Sequence, residues 1–185
     1  MTDTAISNSY ITTDTIFETY LTGDPRTSAI ALKAASSDVQ AWYLKKATQK
    51  IDNLALKGTT YYEFVNSSPG SGQQDRQFPR YIDGMCFGWN VNTLLPEVPK
   101  EVLDACCEEA IALYDIQNSP DKRMRLDLQR QGVTSANYGG TSEQFSQNPS
   151  GSISGAGNRY KGLMSKEAYD LLKGYIAGAI EASFS

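Results

Sequence analysis

Two carboxylate pairs, Glu108 with Glu109 and Glu97 with Glu101, are the residues whose types and spacing come closest to acid–base chemistry. One member of such a pair can donate a proton while the other accepts one. The 185-residue chain has no histidine, which excludes Ser-His-Asp triads, Cys-His nucleophile pairs and histidine metal ligands. In a chain of net charge −4, acids on a helix usually lie on its solvated face. We therefore predict that these acids are surface charges and that the protein is not an enzyme.

The three cysteines, Cys86, Cys106 and Cys107, do not have the spacing of a zinc site or a redox motif. Adjacent thiols within an apolar helical stretch usually pack in a core. We predict two helix-packing thiols, one loop thiol, and neither metal nor cofactor.

A basic run at residues 122–130 carries four basic side chains among nine residues, with Met124, Leu126 and Leu128 alternating between them. Alternation of apolar and polar residues predicts a strand. The run could follow a phosphate backbone, but no aromatic residue is interleaved within it. We favour a strand edge protected by charge.

The elements that position these residues are mainly helical. The clearest helix begins at Pro99 and ends near residues 118–120, because apolar residues recur there at helical spacing. Shorter helices are predicted after Asp14 and within 27–35. A helix from Ser37, with a capping box to Gln40, runs until residues 57–58 with Trp42 on its apolar face. Ser165 caps a last helix that extends to about Ser183.

Two segments lack helical periodicity. Residues 59–77 form a long loop, and residues 85–95 form either a small hairpin or an irregular stretch in which Trp89 covers the core. Residues 132–157 contain six Gly, six Ser and one charged residue, so they cannot close a core of their own. Spaced apolar residues within them are typical of an arm that becomes ordered on a partner.

Together these patterns predict a mainly α fold, a small bundle of about four helices with a long extended or β C-terminal arm and a terminal helix. The expected divisions are a helical body at 1–120, the arm at 121–162 and the C-terminal helix at 163–185. The acidic balance argues against a dedicated nucleic-acid binder. Since neither a signal peptide nor an apolar run long enough for a membrane is present, we expect synthesis in the cytoplasm.

The order of short motifs resembles the head-to-tail adaptor proteins of tailed bacteriophages, head-completion or connector proteins that also carry the label DnaT-like single-stranded-DNA-binding protein. The similar residues in the first half of the chain are Tyr10-Ile11-Thr12, Ala47-Thr48, Ile51-Asp52, Gly58, Phe78-Pro79-Arg80 and Pro96-Glu97-Val98-Pro99. Those in the second half are Asp104-Ala105, Glu108, Ala110, the run from Leu128 to Ser135, Gly139-Gly140, Gly162-Leu163-Met164-Ser165, Ala168, Leu171-Leu172 and Tyr175. Each motif is short, and their common order along nearly the whole chain carries the resemblance.

The resemblance implies a structural virion protein that assembles as a ring, commonly of twelve subunits, between the portal and the tail. Its partners would be the portal protein, a tail, nozzle or stopper protein and further copies of itself, with double-stranded DNA passing through the channel without sequence-specific binding. The C-terminal arm would grip the portal or a neighbouring adaptor. The anchor residues expected on it are Leu126, Leu128, Arg130, Val133, Tyr138, Phe145 and Tyr160. Deletion of residues 126–160 should then leave a folded body that no longer binds portal.

The alternative is a replication-type protein that binds single-stranded DNA. Such a protein needs a basic groove with stacking aromatic residues. The residues best suited to that role are Tyr61, Tyr62, Arg76, Arg80 and Tyr81.

Overall fold

A computed structural model describes residues 9–11, 14–61, 76–87, 89–90, 95–131, 133, 135–138, 141–144 and 162–177. The described residues form six helices: α1 (Asp14–Leu21), α2 (Thr27–Lys33), α3 (Ser37–Asp52), α4 (Lys100–Asn118), α5 (Pro120–Arg130) and α6 (Lys166–Leu172). They also form seven short strands: β1 (Thr59–Thr60), β2 (Arg80–Ile82), β3 (Met85–Phe87), β4 (Trp89–Asn90), β5 (Leu95–Pro96), β6 (Ser135–Tyr138) and β7 (Thr141–Gln144). The mainly α fold predicted from the sequence is confirmed.

Helix α4 is the centre of the bundle and contacts every other described helix. Val102, Ala105, Cys106, Ala110 and Ile111 are buried along it, as the helical spacing predicts. Pro99 lies at the N-cap with extended backbone, one position before the predicted first turn. The helix ends at Asn118, where Pro120 begins the next helix.

Helix α3 packs against α4 through Tyr43, Leu44, Ala47 and Ile51. The predicted capping box at its start is wrong. Ser36 is the N-cap, and the Gln40 amide instead donates to the carbonyls of Leu32 and Lys33 at 3.1 Å each. Gln40 is buried, so its side chain fixes the connection between α2 and α3 rather than closing the first turn of α3.

The apolar face predicted for α3 also needs correction. Trp42 is 51% exposed, and its ring meets the Tyr43 ring edge-on at 4.8 Å. The part of a helix surface that faces the core is a limited stripe, and not every apolar residue of the helix lies within it. Trp42 lies beyond the edge of that stripe.

Helices α1 and α2 confirm the two short helices predicted near the N-terminus. Phe17 and Leu21 of α1 and Ala29 and Leu32 of α2 are buried in the common core. Ile16 of α1 is 42% exposed, so it lies outside the buried face of that helix.

The residues before α4 form small antiparallel sheets. Strands β1, β2 and β3 pair in that order, with Tyr81 opposite Thr59 on one side and Cys86 on the other. Asp83 and Gly84 make the connecting turn with positive φ values of 48° and 85°. Strands β4 and β5 pair with each other, so the hairpin alternative for residues 85–95 is found at residues 89–96. Residues 85–87 belong to β3, which pairs with β2 instead. The Trp89 side chain lies outside the described residues.

The basic run at 122–130 is not a strand. It lies within α5, which begins at Pro120 and packs on α4. Pro120 and Asp121 suit a first helical turn, and Lys, Arg, Met and Leu are strong helix formers. Alternation over only three apolar residues misled the prediction, because Met124 and Leu128 also share one face of a helix. The β structure of the arm comes later, in the β6–β7 hairpin.

At the C-terminal end, the Ser165 hydroxyl accepts a hydrogen bond from the Ala168 amide at 3.1 Å, which confirms the predicted cap. The helix is shorter than predicted and ends at Leu172. Gly174 lies in the following turn, where no described atom comes within 4 Å of an added Cβ, so no backbone approaches it closely. Ile176 then pairs with Leu56 in an antiparallel bridge.

Candidate functional site

Glu108 and Glu109 lie on the central helix α4 and are both buried, which contradicts their prediction as surface charges. Glu108 is 7% exposed and Glu109 is fully buried. A buried carboxylate must be hydrogen-bonded or paired with a cation to be tolerated. The groups that bind the two carboxylates therefore show whether Glu108 and Glu109 are structural or chemical residues.

Glu109 joins three parts of the chain. Lys50 of α3 lies with its Nζ 3.1 Å from Oε1 of Glu109. The backbone N–H of Met164 donates to both carboxylate oxygens, at 2.9 and 2.8 Å, and that of Ser165 donates to Oε2 at 2.9 Å. Burial raises the pKa of Glu109, although Lys50 and these two amides act in the opposite direction.

Glu108 connects α4 to the N-terminal helices. The Arg26 guanidinium donates to its two oxygens at 2.6 and 2.7 Å, and the Tyr20 hydroxyl donates to Oε1 at 2.8 Å. Arg26 also binds Asp24, and this side-chain contact lowers the pKa of Asp24. Burial and the bond to Glu108 raise the pKa of Tyr20.

These contacts give both glutamates a structural role. Successive residues on a helix point in different directions, and each carboxylate here is bound by its own set of donors. Among the residues that the structure describes, no cluster of His, Cys, Asp or Glu side chains could hold a metal ion. The geometry favours two internal clamps over a pair of acid–base groups.

The three cysteines have raised pKa values because each is removed from water. Cys106 and Cys107 are buried on α4, as predicted, and burial raises the pKa of Cys106 to about 11. Cys86 lies in β3 rather than in a loop. A thiol with a raised pKa is a weak nucleophile at neutral pH.

The two ends of the arm meet at one cleft. Leu126 of α5, where the arm begins, and Met164, where the chain returns from it, both line a cleft of about 300 Å³ with Lys50 and Leu113. Lys50 also donates to the Gly162 carbonyl at 2.7 Å. Helix α5 and residues 162–164, which flank the rest of the arm in the chain, therefore lie next to each other on the body.

Helix α5 presents a surface at this junction. Met124 is 44% exposed, and Leu126 and Leu128 are half-buried. Met124 and Leu128 line a second cleft, of about 580 Å³, with Gln117 and Asn118 at the end of α4. We call the face formed by Arg123, Met124 and Leu128 the α5 face. Asp127 lines the same cleft, so this surface offers apolar area together with one cation and one acid. Arginine and methionine are enriched in protein interfaces.

The predicted anchor residues are only partly placed. Leu126 and Leu128 both lie on α5, but they are two residues apart and line different clefts. Val133 is half-buried just after the helix. Arg130 and Tyr138 belong to α5 and β6, but their side chains lie outside the described residues. Phe145 and Tyr160 also lie outside them.

Sequence reasoning did not identify Lys50 or Met164, and it placed Glu109 on the surface. These three residues hold the base of the arm. A signal for Glu109 was present in the sequence, because it lies four residues after Ala105 and three after Cys106, on the apolar stripe of α4. A signal for Lys50 or Met164 was absent, since their partners lie more than fifty residues away in the chain.

The two arginines considered for single-stranded DNA binding make bonds within the fold. Arg80 is buried and donates to the carbonyls of Lys57 and Gly58 at 2.8 and 2.6 Å. Arg76 pairs with Asp52 at 3.2 Å. Tyr61 and Tyr81 are half-buried, and Tyr62 lies outside the described residues.

A third cleft, of about 240 Å³, runs along α3 beside α4. Trp42, Tyr43, Lys46, Gln49, Lys50 and Asn53 line one wall, and Leu113 and Gln117 line the other. The Lys46 Nζ lies 5.7 Å from the centre of the Trp42 ring. We call this cleft the α3 groove.

No helix within the described ranges is long and apolar enough to cross a membrane. Comparison of the chain with protein-family models, with curated proteins and with solved structures gave no match.

Proposed function

We propose that the protein is a structural component of a tailed-bacteriophage virion, an adaptor whose ring joins the portal to the tail. The observation that carries the proposal is the common cleft at which the arm begins and ends. An excursion whose ends are clamped side by side can project from a folded body without contributing to its core. Such an arrangement suits a grip on a separate partner.

The β6–β7 hairpin supports this role for the arm. It is a two-stranded sheet whose described residues pair only with each other. A lone two-stranded hairpin is marginally stable in water and gains stability by packing on another surface. In a ring, the portal or the next subunit supplies that surface repeatedly, and many weak attachments together make a durable joint.

The α5 face supports a contact at the base of the arm. An exposed methionine beside a guanidinium offers adaptable apolar area together with a charge. The portal contact would therefore begin on α5 and continue along the arm. The sequence of motifs that resembles the adaptor family includes the end of α5, from Leu128 to Arg130, and the returning segment at Gly162.

The alternative, binding of single-stranded DNA, has less support. It requires cations that can reach a phosphate backbone and aromatic rings that can stack on bases. The two arginines best placed for it in the sequence make bonds within the fold instead.

The test is co-sedimentation of the purified protein with portal rings from the same genome, with a labelled single-stranded oligonucleotide in the same tube. We expect the protein to sediment with portal and the oligonucleotide to remain in the supernatant. Retention of the oligonucleotide without portal would instead favour the DNA-binding alternative and overturn the proposal.

Two variants and one matched control locate the contact. Met124→Glu should abolish co-sedimentation because it places a charge in the α5 face. Met85→Glu is the matched control, since Met85 is 62% exposed on β3, in another part of the fold, and should leave binding unchanged. Replacement of residues 132–161 by a short Gly/Ser linker should also abolish binding while the body stays folded by circular dichroism. This deletion spares α5, whose Leu126 packs at the cleft.

A further inference from the structure

The last described residues of the chain pair with residues 55–57, which follow the end of the α3 groove at Asn53 in the chain. Ile176 pairs with Leu56 in an antiparallel bridge. The Ala177 amide donates to the Ala55 carbonyl at 2.7 Å, and the Lys57 amide donates to the Tyr175 carbonyl at 2.8 Å. The two segments are therefore antiparallel, with Tyr175 opposite Lys57 and Ala177 opposite Ala55. Continued past Ala55, the partner segment leads to Leu54 and Asn53.

Asn53 is the first lining residue of the α3 groove from that end. The groove then follows α3 through Gln49 and Lys46 to Trp42. This path covers about 16 Å at the helical rise of 1.5 Å per residue. Residues 178–185 can span roughly 26 Å when extended, so they are long enough to reach Trp42 from Ala177.

The composition of residues 178–185 fits the groove. They contain Ile180 and Phe184 as large apolar residues, one acid, Glu181, and no base. The groove offers the Trp42 and Tyr43 rings and Leu113 as apolar area and has Lys46 and Lys50 along its wall. An acidic apolar segment is thus matched with a basic apolar surface.

The exposed Trp42 ring favours a bound segment over an open groove. Trp42 is one of the largest exposed apolar side chains of the described chain, and its ring stands against Tyr43 at the far end of the groove. Aromatic rings of this kind contribute strongly to binding when another apolar group removes them from water.

We propose that residues 178–185 of the same chain bind in the α3 groove, with Phe184 packed on Trp42 and Glu181 directed toward Lys46. The C-terminal segment then closes one face of the bundle by an intramolecular contact. This inference does not depend on the adaptor function.

The test uses fluorescence of Trp42. The chain has two tryptophans, so a Trp89→Phe background leaves Trp42 as the reporter. We compare this chain with the same chain ended after Ala177. Truncation should shift the emission maximum to the red and raise the acrylamide quenching constant. A synthetic peptide of residues 178–185, added to the truncated chain, should reverse both changes.

Point variants make the test independent of any effect of truncation on folding. Phe184→Ala should reproduce the red shift, and Glu181→Lys should raise the quenching constant, most clearly at low salt, where charge pairing is least screened. Ser183→Ala is the matched control and should leave both readings unchanged. Emission that is the same with and without Phe184 would overturn the proposal. Shielding that disappears on dilution would also overturn it, because the occupant would then be a second copy.

Discussion

Lys50 and Glu109 form an ion pair of 3.1 Å across the interface of α3 and α4, and Glu109 is fully buried while the Lys50 side chain is 26% exposed. The same carboxylate receives the amides of Met164 and Ser165, and the same ammonium donates to Gly162. One pair of residues thus fastens the returning end of the arm to the two central helices.

Replacement Glu109→Ala should destabilise the protein by about 3 kcal/mol, because it leaves two amides without an acceptor and opens a cavity. Urea unfolding followed by circular dichroism measures the change. Asp170→Ala is the control, since the exposed pair of Asp170 with Lys166 should contribute no more than about 0.5 kcal/mol. Equal effects of the two variants would contradict a clamp at Glu109.

The pH dependence of stability shows which of two opposing influences controls the pKa of Glu109. Burial raises this pKa, whereas Lys50 and the two amides lower it. The pKa of Glu109 is raised above the ordinary value of 4.5, because burial outweighs Lys50 and the amides. Between 4.5 and the higher folded value, the folded chain binds more protons than the unfolded chain, so the contribution of Glu109 to stability falls as pH rises. The wild type should therefore lose stability relative to Glu109→Gln as pH rises through this window.

Urea unfolding of both proteins at a series of pH values gives the difference directly. A rise in the stability of the wild type relative to Glu109→Gln with increasing pH would show that Lys50 outweighs burial. The pKa of Glu109 would then be lowered in the folded protein.

The helices could be predicted from the sequence because each carries its own local periodicity. The spacing of Val102, Ala105 and Cys106 identifies α4 without any knowledge of its neighbours. The prediction failed at residues 122–130, where three apolar residues fit both a strand and a helix. The start at Pro120 and Asp121 and the strong helix formers that follow favour the helix, and its packing on α4 adds to this preference.

The candidate site was less predictable for a related reason. Glu108 and Glu109 are charged residues in an acidic chain, and most such residues are solvated. Their burial depends on Arg26, Lys50 and two backbone amides, all distant in sequence. A single sequence does not reveal such partners, although the position of Glu109 on the apolar stripe of α4 was a usable indication.

A variant of Tyr20 measures how much the contacts of Glu108 stabilise the protein. Tyr20→Phe removes the hydroxyl that donates to Glu108 and should destabilise the protein by about 1 kcal/mol, the usual net value of one hydrogen bond. Tyr114→Phe is the matched control. The Tyr114 ring packs on Tyr43 at 5.2 Å, and its hydroxyl makes no hydrogen bond to the described part of the chain. Thermal unfolding of the two variants should therefore differ, and equal midpoints would contradict a role for the Tyr20 hydroxyl.

Gly58 tests the packing of the small sheet against the end of α3. Its φ is +71°, and a Cβ added there would lie 2.1 Å from the Tyr81 carbonyl oxygen. Gly23 has a similar φ of +85° but no described atom within 4 Å of an added Cβ. Gly23→Ala therefore reports the backbone strain alone, expected at about 1 kcal/mol, whereas Gly58→Ala adds a clash with backbone and should cost more than about 3 kcal/mol. Urea unfolding of both variants separates the two effects. Equal losses would mean that β2 moves aside at little cost, in which case the Arg80 bonds to Lys57 and Gly58 do not hold this strand in place.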